Sequence, residues 1–225
     1  MKNILILAPH ADDEVLGCGA TIAKHAANND TVFIAIMTNA SVGAPELYSQ
    51  QAVEYTRNEA LTAHKILGVH ETFFFDFPAP RLETSASYQI SNAIHEVLTA
   101  KQIEVLYLPF RGDAHKDHAV VFNAGLVAAR PINGCTVKEI YAYETLSETE
   151  WAAPFGDDNF VPNYFINVSG FIEMKLKAME CFKSQLKTAP HPRSIEIIRS
   201  LSMLRGSTVG FSDAEAFFQI RRIDQ

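Results

Sequence analysis

The 225-residue chain has only three cysteines, Cys18, Cys135 and Cys181, and no two of them lie close together. An odd, scattered set argues against a disulfide framework and against a cysteine-built zinc site. A reducing interior suits such a chain, and the cytoplasm is the expected compartment. Clustered lysine and arginine are lacking too, and the formal charge is −7. Nucleic acid is therefore not expected as a partner, because its phosphates call for concentrated positive charge. No apolar run is long enough to cross a membrane. The first such run, Asn3 to Ala8, is too short for a secretory signal and is broken by Pro9 and the acids behind it. No linker, internal repeat or low-complexity segment divides the chain. With 48% hydrophobic and 20% charged residues, residues 1–225 can bury a sizeable core, and a single domain is expected.

What is present is alternation. Asn3–Ala8, Thr31–Thr38, Glu71–Phe77, Ile103–Pro109 and Val137–Glu144 read as strands, several of them continuous apolar runs of the kind buried on both faces. Helices are expected between them: after Asp13, over Ser49–Gly68 with Gly68 as the C′ residue, over Ser87–Thr99 and over Asp117–Ala129. The pattern predicts an α/β fold, Rossmann-like and doubly wound, with a mainly parallel sheet and helices on both faces. Farther on, a strand at Asn163–Val168, a helix from N-cap Ser169 through Ser184, a helix over Ser194–Arg205, a loop at Gly206–Gly210 and an edge strand at Glu215–Ile223 are expected. Residues 39–48 and 151–162 read as loops, each either a wall of a pocket or an ordinary surface connection. Gly17-Cys18-Gly19 lies too far into the first helix to serve as a nucleotide fingerprint, and no serine occupies a nucleophile elbow.

Two clusters carry the chemistry. The first strand ends in Pro9-His10-Ala11-Asp12-Asp13-Glu14, and the fourth in Phe110-Arg111-Gly112-Asp113-Ala114-His115-Lys116-Asp117-His118. Three positions separate His10 from Asp13 and His115 from His118, so each cluster can offer two groups to one point. In a doubly wound sheet the fourth strand commonly lies beside the first, which brings the clusters together at the carboxyl edge where ligands bind. Two imidazoles and a carboxylate form a usual catalytic zinc set with one position open to water. A lone histidine would be weak evidence; two clusters, each behind a buried strand, favour a metal site. Glu14 reads as a helix-start residue favoured by the helix dipole. Arg57 interrupts the apolar stripe of Val53, Ala60, His64 and Leu67, and it is either a structural ion pair or a pocket residue. His64 reads as structural, His95 as a helix-face residue and His191 as incidental.

These residues resemble the LmbE-like or PIG-L-like N-deacetylases. The family's Pro-His-Pro-Asp-Asp-Glu motif is met by Pro9 to Glu14, and its His-Pro-Asp-His motif by His115 to His118. Arg57-Asn58-Glu59-Ala60 through Leu67-Gly68, Lys175-Leu176-Lys177-Ala178 with Ser184-Gln185, and Ala214-Glu215-Ala216-Phe217 are similar to further family segments. Ala11 and Lys116 replace two prolines and loosen the turns without removing a proposed ligand. The resemblance implies removal of the N-acetyl group from an N-acetylglucosaminyl-type sugar or conjugate, a small-molecule partner. It implies Zn2+, with Fe2+ a second option, held by His10, Asp13 and His118, and a zinc-bound water that attacks the amide. Asp12 would be the general base, and His115 would stabilise the oxyanion, with Asp117 holding its tautomer and favouring its protonated form. Arg57 would contact substrate; Asp113 would bind a hydroxyl or form a turn. Homo-oligomerisation is left open. The rival readings are a related amidase, a non-haem iron enzyme built on the same ligand types, and a sugar-binding module; the extra aspartate beside the metal set favours hydrolysis.

Overall fold

In a computed structural model, which describes residues 1–132 and 134–224, the apolar runs pair into a seven-stranded sheet. Its strands are β1 (Asn3–Ala8), β2 (Thr31–Asn39), β3 (Glu71–Pro78), β4 (Val105–Pro109), β5 (Glu139–Tyr143), β6 (Tyr164–Asn167) and β7 (Ala214–Arg222), in the order β3-β2-β1-β4-β5-β7-β6. The first five are parallel, and β7 runs antiparallel to both of its neighbours. The helices are α1 (Asp13–Ala27), α2 (Ala40–Gly43), α3 (Gln50–Leu67), α4 (Ser87–Ala100), α5 (Lys116–Ala128), α6 (Ile172–Met179) and α7 (Ile195–Val209). The chain winds outward from β1 to β3, returns to β4 and winds out the other way, so the direction reverses between β1 and β4. The α/β, doubly wound, mainly parallel reading holds.

Side chains alternate along β1 as the strand period requires. Ile4, Ile6 and Ala8 face a core built with α1, α3, α6 and α7, while Leu5 and Leu7 face one built with α4 and α5. Both faces of the central strands are therefore covered, which is why those strands carry no polar alternation. None of the described helices is long and apolar enough to cross a membrane.

The structure corrects four expectations around this frame. Residues 39–48 are not all loop: Asn39 caps the short helix α2 by accepting from the Ser41 N–H. Ser169 does not cap the following helix, because its N–H and hydroxyl both turn back to Asn167 Oδ1; α6 begins at Ile172 and ends at Met179, not Ser184. Gly206 to Val209 continue α7, which stops at Gly210 in the left-handed conformation. The final strand is not an edge: β7 lies between β5 and β6, and β6 takes the edge.

Close approach explains the glycines of α1. A Cβ on Gly17 would enter the ring of Tyr143, whose hydroxyl donates to the Leu7 carbonyl at 2.8 Å. One on Gly19 would meet Lys175 Cγ at 2.8 Å. Lys175 in turn donates to Glu215 Oε1 at 2.6 Å and to the Leu16 carbonyl, while Glu215 accepts the Ala20 and Thr21 N–H groups. This buried ion pair is hydrogen-bonded on both sides and ties α1, α6 and β7 together. Gly17→Ala should destabilise the fold by about 1–3 kcal/mol through overpacking. The check is the urea midpoint, expected to fall at unchanged slope; an unchanged midpoint would contradict the contact.

Candidate active site

Parallel pairing of Ile4, Leu5 and Ile6 with Val105, Leu106 and Tyr107 sets the ends of β1 and β4 side by side. The two clusters consequently meet. His10 Nδ1 lies 3.2 Å, and His118 Nε2 3.3 Å, from the same oxygen of Asp13, Oδ2. One ligand atom from each of the three residues falls within 4.8 Å of the others. His118 Nε2 is buried, and its approach to Asp13 Oδ2 is an ion-pair contact that is not aligned as a hydrogen bond, so the nitrogen has no hydrogen-bond partner. An orphaned buried nitrogen requires a reason, and a cation between the two imidazoles and the carboxylate supplies one.

The outward nitrogens are also held. His10 Nε2 donates to Asp117 Oδ2 at 3.1 Å, and His118 Nδ1 donates to Asp113 Oδ2 at 2.7 Å. A carboxylate on the far nitrogen fixes the ring orientation and makes the near nitrogen a better ligand. Those carboxylates are anchored in turn: Asp117 Oδ1 accepts from the Leu82 N–H, and Asp113 Oδ1 from the Thr149 hydroxyl. His10, His115 and Asp117 form a second group within ligand reach. There, however, His10 Nε2 already bonds Asp117, and His115 Nδ1 accepts from the Asp117 N–H at 3.2 Å. Nothing in that group is left orphaned, so the first triad is the better cation site.

Two expected roles change with this geometry. Asp113 does not line the adjacent cleft, and its buried carboxylate is bonded to His118 and Thr149. Asp117 supports His10 rather than His115, whose Nδ1 stands 3.9 Å from its carboxylate. Burial and the neighbouring His10 push His115 down to about 4 against the attraction of Asp117. The ring is neutral at pH 7, with its proton on Nε2 because Nδ1 accepts. An Nδ1 that accepts a backbone N–H does not fit the protonated imidazole expected from the sequence.

Other charges balance differently. Burial opposes ionisation of His10 and His118, but bonds to Asp117 and Asp13 lift the first to about 9, and Asp13 with Asp113 lifts the second to about 10. Asp13 is held well below the usual carboxylate range by these two imidazoles, again against burial. Asp12 is pushed up to about 8, chiefly by burial; the Arg193 guanidinium works the other way, and the acids Asp13 and Glu14 add to the rise.

These groups open into a cleft of about 550 Å³ whose walls include His10, Asp12, His115, Arg57, Tyr48 and Arg193. Residues 39–48 do contribute a wall, through Ala40 and Tyr48. Residues 151–162 do not: Arg111 bonds the Asp157 carbonyl, and Phe160 packs against Phe110, away from the cleft. Both readings of Arg57 hold, because its Nη2 bonds the Phe75 carbonyl and Asp76 Oδ1 while the side chain lines the cleft. Sequence reasoning missed Arg193, which reaches Asp12 Oδ2 at 3.2 Å, Ser147 Oγ at 2.6 Å and Gln185 Oε1 at 3.2 Å. It follows the Pro190-His191-Pro192 connector, where no periodicity marks it.

A family model described as PIG-L, GlcNAc-PI de-N-acetylase, matches residues 5–129, which contain both clusters. The chain is also 31% identical over 189 residues to the uncharacterized deacetylase YaiS of Escherichia coli K12, covering 81% of this chain and 91% of that protein. The chain belongs to the PIG-L family. This PIG-L chain is 23% identical over 226 residues to the diacetylchitobiose deacetylase of Thermococcus kodakarensis, covering 96% of this chain and 82% of that one. Among solved structures, the fold matches GalB, the 4-carboxy-2-hydroxymuconate hydratase of Pseudomonas putida KT2440, with a TM-score of 0.79 at 20% identity over 100% of this chain and 99% of that one. A fold shared with a hydratase leaves the reaction to be argued from the site.

Metal binding at the triad must displace the protons on His10 and His118 and favours ionisation of the neighbouring Asp12, so it should release between about two and three protons per ion at pH 7. Calorimetry in buffers of different ionisation heat measures that number; no release would contradict the assigned ligands. In the metal-free chain, both imidazoliums stabilise the fold fully below the ordinary value of 6.5 and cease to do so as the pH rises through about 9 and 10. Metal-free stability should therefore decline over that alkaline range, read as a falling thermal midpoint.

Proposed function

We propose that residues 1–225 form one zinc-dependent N-deacetylase domain that hydrolyses the N-acetyl group of an N-acetylglucosaminyl-type sugar or conjugate. The orphaned His118 Nε2 carries this reading: it faces His10 and Asp13 beside a cleft that also presents Asp12 and a neutral His115. His10, Asp13 and His118 would hold the zinc. When bound there, it acts as a Lewis acid that activates water and polarises the acyl carbonyl.

The remaining work falls to the chain's own groups. Asp12 accepts the proton of the attacking water and returns it to the departing nitrogen, giving acetate and a free amine. For this it must be ionised, and Arg193 at its Oδ2 favours that state, as does any positive charge added to the triad. His115 donates from Nε2–H to the developing oxyanion, a contact stronger in the transition state than in the bound amide. Its low basicity makes it a hydrogen-bond donor and leaves protonation of the amine to Asp12. Arg57, fixed by Asp76 and the Phe75 carbonyl, supports substrate at the cleft wall.

The reaction class is tested by acetate release, under anaerobic conditions, from free N-acetylglucosamine, diacetylchitobiose and thiol-, nucleotide- and lipid-linked N-acetylglucosamine. Release from at least one is expected; a chain that binds these compounds without releasing acetate is a binding module or a hydratase-like protein.

Three substitutions divide the roles. His118→Ala should empty the metal site. Asp12→Asn should keep the metal and lose about 10²–10⁴-fold in turnover, the range for a general base. If Asp12→Asn emptied the site while Asp13→Asn stayed loaded, the two aspartates would exchange roles. His115→Ala should retain metal and substrate affinity and lower kcat by about 10²–10³-fold; lost metal would make it a ligand, and unchanged kcat would remove it from the chemistry.

A further inference from the structure

Asp12 has a backbone that an L-residue rarely adopts, with φ 128° and ψ −25°. Such a conformation persists only where its surroundings hold it. It stands at the N-cap of α1, yet its side chain makes no capping bond. Its carbonyl still accepts from the Val15 and Leu16 N–H groups, so the helix starts normally. The rotated backbone therefore has one effect of consequence: it releases the Asp12 carboxylate from the cap and leaves it facing Arg193 in the cleft wall.

The group that holds this rotation lies directly beneath. Glu14 Oε2 accepts from the Asp12 N–H at 3.2 Å. Glu14 Oε1 accepts from His64 Nε2 at 2.9 Å, and His64 Nδ1 accepts from the Thr72 hydroxyl at 2.8 Å. Glu14 is completely buried and His64 nearly so. A dipole-favoured acid at the start of a helix has no need of burial, since that interaction works in solvent. A capping box would put such an acid at the third helical position to bond the N-cap N–H; Glu14 is at the second, which suits an N-cap with a twisted backbone.

We propose that Glu14 is a positioning residue for the reaction: its carboxylate, braced by His64 on α3 and Thr72 on β3, holds the Asp12 N–H and keeps the Asp12 side chain out of the helix cap and in the active site. The inference rests on the role of Asp12 as the base. Neither Glu14 nor His64 touches the ligand triad through its side chain, and their effect passes through the Asp12 backbone.

Glu14→Met keeps the volume and removes the acceptor; Glu14→Gln keeps an acceptor, and the tautomer of His64 can shift to receive its amide. Crystal structures of the metal-free and zinc-loaded variants give a readout independent of activity. In Glu14→Met, Asp12 is expected to relax to negative φ, its carboxylate capping α1 and leaving Arg193; in Glu14→Gln, φ stays positive. On whichever N-acetylated sugar is turned over, Glu14→Met should lose about 100-fold in kcat at unchanged KM and one zinc per chain, and Glu14→Gln should stay within about threefold of the parent. His64→Phe, which removes only the brace, should lose about tenfold, and it decides the matter if Glu14→Met does not fold. An Asp12 that keeps positive φ in Glu14→Met overturns the proposal, as does zinc loss in step with activity, or full kcat in both Glu14→Met and His64→Phe. Asp12→Asn, run in parallel, separates the two claims: full activity there removes Asp12 as the base, whereas an inactive Asp12→Asn beside a fully active Glu14→Met overturns only the role of Glu14.

Discussion

The Asp13 carboxylate between two imidazoles is the interaction on which the rest of the site depends. Its Oδ2 faces His10 Nδ1 and His118 Nε2 and also accepts the His10 N–H at 2.9 Å. That one oxygen joins a turn after β1 to a helix after β4, more than a hundred residues later. The parallel register of β1 and β4 makes the meeting possible, and the carboxylates of Asp117 and Asp113 behind the rings make it rigid. Four aspartates and three histidines in so small a space would be costly to bury unpaired. Every one is hydrogen-bonded, and the one buried side-chain atom among them without a hydrogen-bond partner, His118 Nε2, points at the place where a cation would complete the set.

Much of this arrangement was legible because it is local. Continuous apolar runs ending in His10 and in the Asp113–His118 stretch announced two buried strands with polar ends, and the winding rule placed those ends together. Ser49 and Gly68 bounded α3 because a hydroxyl cap and a left-handed glycine act within a few residues. Arg193 was not legible, since it arrives from a connector with no periodic pattern and its partners Asp12, Ser147 and Gln185 come from three other parts of the chain. Asp117 was read as the partner of His115, and Asp113 as a hydroxyl binder or turn former, because the sequence does not say which ring each faces. Glu14 shows the same limit: an acid in a first helical turn has an adequate local explanation, and only the packing of α3 and β3 shows it buried under Asp12. The C-terminal strand was misplaced at the edge because strand order depends on pairing partners and not on position along the chain.

The fold by itself is neutral about chemistry. A fold match to a hydratase and membership of the PIG-L family are compatible, since one fold can host different reactions. Distinction comes from how protons are arranged in the site. Asp12 is a buried carboxyl turned into the cleft beside a guanidinium, and His115 is a neutral donor whose free N–H is on Nε2. In the proposed roles, Asp12 as base and His115 as donor would suit the addition of water to a carbonyl and the collapse of a tetrahedral centre. Arg57 and Tyr48 line the same cleft of about 550 Å³.

Anomalous diffraction at the zinc edge, on crystals of the zinc-loaded protein, tests the central claim most directly. The account predicts one peak about 2.0–2.2 Å from ligand atoms of His10, Asp13 and His118, with Asp12 outside the coordination sphere. A peak among His10, His115 and Asp117, or one ligated by Asp12, would contradict it.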